Sequence, residues 1–341
     1  MASVKVSDKP LALDLIKGLL FLAKSETFRR TYARLAPGED GRIRTVHGIA
    51  ATDTGRYNSS DTFLENSTNL QNISKKYAIL DPLFDLKQLF LPDPGYVIGE
   101  ADLSQAEARV AAWMAQDPLA IDQYERGVDR YKFLAAAVFH DEPEAHAKVT
   151  KAQRQVGKMG QLALQYGVSW KTFMEQANSD ADLTGVTIDA RTAKAVEAVF
   201  HALYPGYPQW WGVVEDRVLT AGYLTNPYGR RRDFFGRADS ESARAALRRA
   251  AVAFLPQSTI ADHTNDGLCK IYEELDPHLV RIHLQVHDAI VFQCKPQDAH
   301  KAAKEVKKIL ERPLEINGRT LLVPAEVSVS TKNWSNVKRV A

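Results

Sequence analysis

Two aspartates stand where a carboxylate could do chemistry. Asp102 ends the apolar run Tyr96-Val97-Ile98-Gly99-Glu100-Ala101, and a helical pattern opens at Ser104 just after it. Asp288 sits at the tip of an apolar hairpin, Gln285-Val286-His287-Asp288-Ala289-Ile290-Val291. Strand ends and hairpin tips hold side chains on rigid supports while leaving them open to solvent and ions. Brought together, two such carboxylates could hold a pair of Mg²⁺ ions ~3.5–4 Å apart, the arrangement used for in-line phosphoryl or nucleotidyl transfer. Magnesium suits it, needing few carboxylates and keeping positions for water and substrate phosphates. Each aspartate alone also has a plainer use, Asp102 as a helix start and His287-Asp288 as a two-residue polar turn.

A third constellation is Arg154, Lys158, Leu162 and Tyr166, followed by Gly167. Steps of four place these on one slowly rotating stripe of a helix, roughly 18 Å long. Two cations at the helix N-terminus, joined by its unpaired amides, would suit a triphosphate, and the aromatic at the far end could pack against a base. Residues 150–158 carry Lys151, Arg154 and Lys158 and no acid. Glu107 has two readings. Ser104-Gln105-Ala106-Glu107 fits a capping box, which would turn the Glu107 carboxylate back to the cap and away from any ligand.

The elements that must position these residues follow from patterning. Residues 11–35 read as an amphipathic helix through Leu15, Leu19, Leu22 and Phe28. Residues 37–74 are rich in Gly, Ser, Thr and Asn, which means turns and short strands. From Asp117 to about Ala202 the pattern is helical, ending at Tyr204-Pro205-Gly206-Tyr207-Pro208. Trp211 to about Leu219 forms another helix, and Asn226-Pro227-Tyr228-Gly229 a turn. An Ala-rich helix over 240–255 should stop at Pro256, and a further helix should reach about Leu275. A last helix covers 298–311, and Val323–Val329 reads as a strand.

The 341 residues carry a net charge of +2, 45% hydrophobic and 25% charged residues, and two cysteines. This excludes a disordered chain and a disulfide framework. No apolar run approaches the ~20 residues a membrane helix needs, and the first residues show no apolar stretch followed by a small-residue cleavage site, so no secretory signal is expected. The expectation is a cytoplasmic protein with no membrane partner. Arg230, Arg231, Arg232, Arg237, Arg244 and Arg248 crowd one stretch opposed by few acids, where a polyanion or plain solvent could sit.

In order along the chain, these pieces resemble the polymerase module of family A DNA polymerases. Asp102 to Arg109 looks like that family's first palm motif, Arg154-x-x-x-Lys158 through Tyr166-Gly167 its fingers motif, and Gln285-Val286-His287-Asp288 its last palm motif. Supporting matches are Thr54-Gly55-Arg56, Asn69-Leu70-Gln71-Asn72-Ile73, Tyr204-Pro205-Gly206, Gly229-Arg230-Arg231, and Gln257 ahead of Asp262. The resemblance runs from about residue 11 to Trp334.

The resemblance implies an α+β right-hand fold. An antiparallel-sheet palm would come from residues 40–115 and 220–341, helical fingers from 116–219, and a thumb remnant from 1–39. Asp102, the backbone carbonyl of Leu103 and Asp288 would hold two Mg²⁺ ions, which Mn²⁺ could replace. Arg154 and Lys158 would clamp the triphosphate, with Lys158 the proton donor to pyrophosphate. Tyr166, Leu162, Gln105 and Glu107 would complete the dNTP site, with Glu107 crowding the sugar 2′ position. Arg56, Arg230, Arg249, Gln257 and His287 would contact primer and template.

Departures accompany the matches: Leu103 stands where Tyr is usual, Leu162 where Phe or Tyr is usual, Tyr131 where His is common, and Ala289 where Glu is usual. The short N-terminal segment leads to the expectation of no proofreading exonuclease, low processivity and a processivity or replication partner. A polymerase-like DNA-binding protein that has lost catalysis is the alternative. A single-subunit RNA polymerase is a third reading, which Glu107 argues against. The expected location is cytoplasmic, with the enzyme nucleoid-associated or virus-encoded.

Overall fold

The computed structural model describes residue 26, residues 37–49, 51–60, 68–71 and 73, and residues 85–341 except Arg237. The amphipathic helix expected over 11–35 and most of the thumb remnant lie outside the described residues, as does Asn72. The chain divides into two compact units, one of Met1–Ile49 with Tyr57–Ile73, the other of Ala50–Arg56 with Ser74–Ala341.

In the first unit, β1 (Val46–Gly48) and β2 (Asn58–Ser60) pair antiparallel, Val46 opposite Ser60. The Leu70 amide donates to buried Ser59 Oγ at 2.9 Å, and the Thr68 amide to the Arg44 carbonyl at 3.1 Å. These bonds tie the 68–70 segment to the hairpin, whose short strands are of the kind read from the composition of 37–74.

The second unit is a mixed α+β body. Its first strand, β3 (Val97–Leu103), is followed by eight helices: α1 (Ala106–Met114), α2 (Pro118–Glu125), α3 (Arg130–His140), α4 (Lys151–Leu164), α5 (Trp170–Ser179), α6 (Ala181–Thr184), α7 (Ala190–Leu203) and α8 (Gly206–Ala221). Asp117, Asp129, Thr150, Ser169 and Asp189 each accept a hydrogen bond from a first-turn amide, so most of these helices start where a short polar side chain can satisfy an orphan donor. A small hairpin follows, β4 (Tyr223–Thr225) and β5 (Arg231–Asp233), then the long α9 (Glu241–Glu274). The central hairpin is β6 (Arg281–Val286) and β7 (Ala289–Cys294). After it come α10 (Ala299–Leu310), a second small hairpin of β8 (Leu314–Ile316) and β9 (Arg319–Leu321), β10 (Ala325–Ser330) and β11 (Lys338–Arg339).

The main sheet has the order β11-β10-β3-β7-β6 and is antiparallel throughout. Its buried residues, among them Val97, Ala101, Leu103, Ile290, Phe292 and Val327, join one core with α1, α9 and α10. Pairing β3 with β7 puts Asp102 opposite Ala289, the residue after Asp288. Neighbouring strands run ~4.8 Å apart, so the register brings together two carboxylates remote in sequence.

Two helix boundaries differ from expectation. Helix α8 begins at Gly206 and takes in Pro208 within its first turn, where a missing amide costs nothing. Helix α9 does not stop at Pro256 but runs 34 residues through it. The buried face from Ala251 to Ile271 holds the helix to the core on both sides of the proline. The hydroxyls of Ser258 and Thr259 both donate to the Leu255 carbonyl in the same turn, at 3.3 and 2.7 Å. Tertiary burial overrides the local cost of proline here.

Candidate active site

Asp102, Leu103, Gln105, Glu107, Tyr131, Leu162, Gln165, Tyr166 and Asp288 line one cleft of about 320 Å³. It lies where the end of β3 and the start of α1 face the β6–β7 turn and the C-terminal half of α4. A larger cleft of about 900 Å³ opens elsewhere, beside Trp210, Val214 and Leu255, but Glu315 is its only carboxylate. Chemistry rather than size singles out the smaller one.

Asp102 reaches the cleft because it sits on the sheet face that also carries Glu100 and Glu326, the latter directly across from it on β10. Although the Asp102 side chain still meets solvent, burial by surrounding protein, with Glu100 and Asp288 adding like charge, pushes its pKa up to about 6. Asp288 follows His287, which turns the chain at φ +54°. Burial raises the Asp288 pKa as well, against the opposing pull of Arg56. Its Oδ1 is sealed from solvent and accepts no hydrogen bond. Burial thus disfavours the ionised form of both carboxylates, and the cation nearest Asp288 Oδ1 is Arg56, too far for a hydrogen bond.

Glu107 makes no capping box. Gln105 takes the N-cap position in the left-handed region, φ +51°, with no side-chain cap bond, and the Ser104 amide donates instead to the Pro324 carbonyl at 2.8 Å. The freed Glu107 carboxylate ion-pairs with Arg56 through Oε1 and accepts from the Tyr166 hydroxyl at 3.1 Å through Oε2. Arg56 Nη2 also lies 3.7 Å from Asp288 Oδ1. Burial raises the pKa of Tyr166, keeping its hydroxyl protonated as the donor.

The cationic stripe on α4 differs from expectation at its N-terminus. Thr150 and Gln153 form a reciprocal capping box, so that end of the helix closes on itself. The acid absent from residues 150–158 comes from the previous helix: Arg154 Nε donates to Asp129 Oδ2 at 2.8 Å, and its guanidinium lies 5.4 Å from the Tyr131 ring. Asp129 is partly buried, yet this bond holds its pKa below the usual carboxylate range. Lys158 is exposed and has no ion-pair partner among the described residues.

The arginine-rich stretch is mostly neutralised. Arg230 grips Asp262 through Nε and Nη2, Arg231 pairs with Asp233, Arg232 with Asp53, and Arg244 and Arg248 share Glu215. Arg249 stays exposed on α9 with no ion-pair partner among the described residues. His287 is exposed beside the cleft and Gln257 is half-buried on α9.

Comparison with known proteins decides what this arrangement belongs to. The model of the family described as DNA polymerase family A matches residues 9–336. The chain belongs to DNA polymerase family A. Among family A relatives it is similar to DNA polymerase I of Chloroflexus aurantiacus, 27% identical over 335 residues that make up 97% of this chain and 33% of that protein. It is also similar to the thermostable DNA polymerase I of Thermus filiformis, 29% identical over 92% of this chain and 35% of that protein. The chain thus spans about a third of the length of these curated relatives. A solved structure, the POL domain of Pol1 from M. smegmatis in complex with DNA primer-template and dNTP, superposes with a TM-score of 0.72 at 26% identity, covering 87% of this chain and 49% of that one.

Within this family A chain, Asp102, Leu103, Gln105, Glu107, Leu162, Tyr166 and Asp288 gather in the cleft, while Arg154, Lys158, Arg230, Arg249, Gln257 and His287 do not line it. Tyr131 and Gln165 line the cleft without having been read as site residues. Gln165 lies three residues beyond Leu162 on the same helix, and that spacing was the available signal. Among the described residues no helix is long and apolar enough to cross a membrane.

Proposed function

We propose that this chain is the catalytic module of a template-directed DNA polymerase, extending a primer 3′-hydroxyl with dNTPs. The observation that carries the reading is the β3–β7 register, which puts Asp102 and Asp288 in one cleft with Glu107 and Tyr166 in a chain of family A. DNA and dNTPs as partners are supported by the similar polymerase domain, which was solved with both. We read residues 40–115 and 220–341 as palm and 116–219 as fingers.

The residues fit a divalent-ion site. The donors are hard oxygens, Asp288 Oδ1 is orphaned, and the pKa values of both carboxylates are raised by burial. Among the described residues no group of three or more His, Cys, Asp and Glu side chains gathers as a cage, so any ion here would depend on the two carboxylates and on substrate phosphates. Asp102, the Leu103 carbonyl and Asp288 would hold two Mg²⁺ ions, with Mn²⁺ as a substitute. Bound there, the ions would lower the pKa of the primer hydroxyl and neutralise the triphosphate.

The protein's own groups do the rest. Arg56 and Tyr166 fix the Glu107 carboxylate in one orientation, so it can crowd a sugar 2′ substituent without reorganising. Lys158, free of acids, is available to the triphosphate and to protonate the departing pyrophosphate. Arg154 must exchange Asp129 for a phosphate. Arg56, Arg230, Arg249, Gln257 and His287 would contact primer and template, Arg230 after release from Asp262. Where such contacts reach minor-groove acceptors common to every pair, they test pairing geometry and read no sequence.

Gel-resolved primer extension by wild type, Asp102→Ala and Asp288→Ala tests the reading. Extension by wild type alone is expected. Duplex binding that weakens with salt, without incorporation in Mg²⁺ or Mn²⁺, would instead mark a DNA-binding protein without catalysis. A preference for rNTPs over dNTPs would mark an RNA polymerase.

A further inference from the structure

Three successive residues at the start of α3 meet α4. Asp129 accepts from Arg154 Nε at 2.8 Å. Gly157 lies so close to the Tyr131 carbonyl that a Cβ there would overlap its oxygen. Arg130, between the two in sequence, reaches Gln161. In the orientation its neighbours require, the Gln161 nitrogen donates to the Arg130 carbonyl at 3.1 Å, and its oxygen accepts from the Arg130 guanidinium at 2.6 Å. Positions 154, 157 and 161 are spaced by three and four, so these contacts run down one stripe of α4.

Arg130 is 3% exposed and Gln161 1%. A guanidinium does not lose its proton in a protein, so a full charge is buried here. Its acceptors among the described residues are both neutral: Gln161, and Gln123 Oε1, to which Arg130 Nε donates at 3.1 Å. The rings of Tyr124 and Tyr204 lie 4.4 and 5.0 Å from the guanidinium, and the Tyr204 hydroxyl donates to the same Gln123 oxygen at 2.9 Å. Arg130 Nη1 is shut off from solvent and donates to no acceptor.

Stability alone does not ask for this arrangement. A buried charge with an unpaired nitrogen is less favourable than hydrocarbon side chains of similar volume. Hydrogen bonds add direction. Apolar packing tolerates a small rotation of one helix on another, whereas two bonds converging on a single glutamine do not. Neither Arg130 nor Gln161 lines the cleft, so their clasp can persist when Arg154 exchanges Asp129 for a phosphate. Gln161 lies three residues beyond Lys158 on the same helix. With side chains at a radius of about 6 Å, a roll of about 10° moves their ends by about 1 Å. Misplacement on that scale can cost up to 100-fold in rate.

Resting on the polymerase reading above, we propose that Arg130 is a positioning residue for the reaction, fixing through Gln161 the roll of α4 about its axis and with it the aim of Lys158 at the nucleotide's phosphates. Gln123, Tyr124 and Tyr204 hold the guanidinium from the far side, so α4 is referred to α2 and to the start of α8 as well as to α3. The clasp touches neither nucleotide nor metal and acts only through the helix.

The test compares full-chain wild type with Gln161→Glu, Arg130→Lys and the double variant Arg130→Met with Gln161→Leu. Each is read by its Tm, its Kd for primer-template and its single-turnover rate constant at saturating dNTP, which does not depend on the fraction of enzyme that is folded. The double variant replaces the clasp with hydrocarbon and should melt at or above wild type. Its rate constant should nonetheless fall about tenfold, with primer-template Kd within twofold of wild type. Arg130→Lys keeps the buried charge but loses the planar fork, and should slow similarly; it carries the test if the double variant does not fold. Gln161→Glu keeps an acceptor for the guanidinium and should stay within twofold of the wild-type rate. A wild-type rate in the double variant or in Arg130→Lys, or a Gln161→Glu as slow as either, overturns the inference while leaving the polymerase reading intact. A wild type that incorporates no dNTP overturns both.

Discussion

Replacing Gly157 with alanine should separate packing from propensity in the helix that carries Arg154, Lys158 and Tyr166. Gly157 lies where α4 crosses α3, and a Cβ there would overlap the main-chain carbonyl oxygen of Tyr131 and stand 3.2 Å from the Ala135 methyl. A backbone carbonyl cannot swing aside as a side-chain end can, so the two helices must part. In an open helix, glycine to alanine gains about 1 kcal/mol. Overpacking a rigid contact costs about 1–3 kcal/mol, and a clash against backbone belongs at the upper end, leaving a net loss of about 2 kcal/mol. For a chain of this size that lowers Tm by on the order of 4 °C. Gly212 on α8 is the control, since its Cβ would meet nothing within 4 Å. Gly212→Ala should gain up to about 1 kcal/mol. Parting α3 from α4 also displaces Tyr166 from Glu107, and misplacement by about 1 Å can cost up to 100-fold in rate. Thermal melts of both variants and steady-state dNTP incorporation are the assays. A Gly157→Ala protein as stable as Gly212→Ala, with unchanged kcat/KM, would refute the reasoning.

Asp129→Asn should keep the cap on the Lys132 amide while releasing Arg154. The pair is partly exposed, so stability should fall by less than about 1 kcal/mol while the dNTP KM drops roughly two- to fivefold. An unchanged KM in incorporation assays would show that the pair does not compete with nucleotide. Native Asp102 and Asp288 hold protons more tightly than the unfolded chain does. Metal-free stability should therefore fall as pH rises from about 4 to 6, and Asp102→Asn should flatten that fall. Added Mg²⁺ should raise Tm chiefly above pH 6, and melts across this range with and without the ion check both points. Asp117→Ala should lose about 3 kcal/mol in urea unfolding. Buried Asp117 accepts from the Ala120 amide on α2 and the Gly206 amide on α8, both at 2.9 Å, and both donors would be orphaned.

Strand β3 and the β6–β7 hairpin were legible because apolar runs bracket a two-residue polar turn, a purely local signal. What stayed hidden depends on partners far along the chain. Ser104-x-x-Glu107 reads as a capping box until Pro324 takes the Ser104 amide and Arg56 takes the Glu107 carboxylate. The cations of α4 look unopposed until Asp129 caps the neighbouring helix and turns its second oxygen to Arg154. Pro256 reads as a stop because its cost is local while the burial that outweighs it is tertiary. The β8–β9 hairpin carries an Asn317-Gly318 turn, a strong short-range signal, but strands of three residues are too short to show alternation.

The insertion of helices α1 to α8 between β3 and β7 has a consequence for biogenesis. During synthesis the helical insert emerges with its mostly local contacts complete, while Asp102 waits on an unpaired strand. Only when the ribosome has delivered the β6–β7 hairpin can β3 find its neighbour and the acidic pair come together. A nascent chain stalled after α8 but before that hairpin would display the helical insert without the acidic pair.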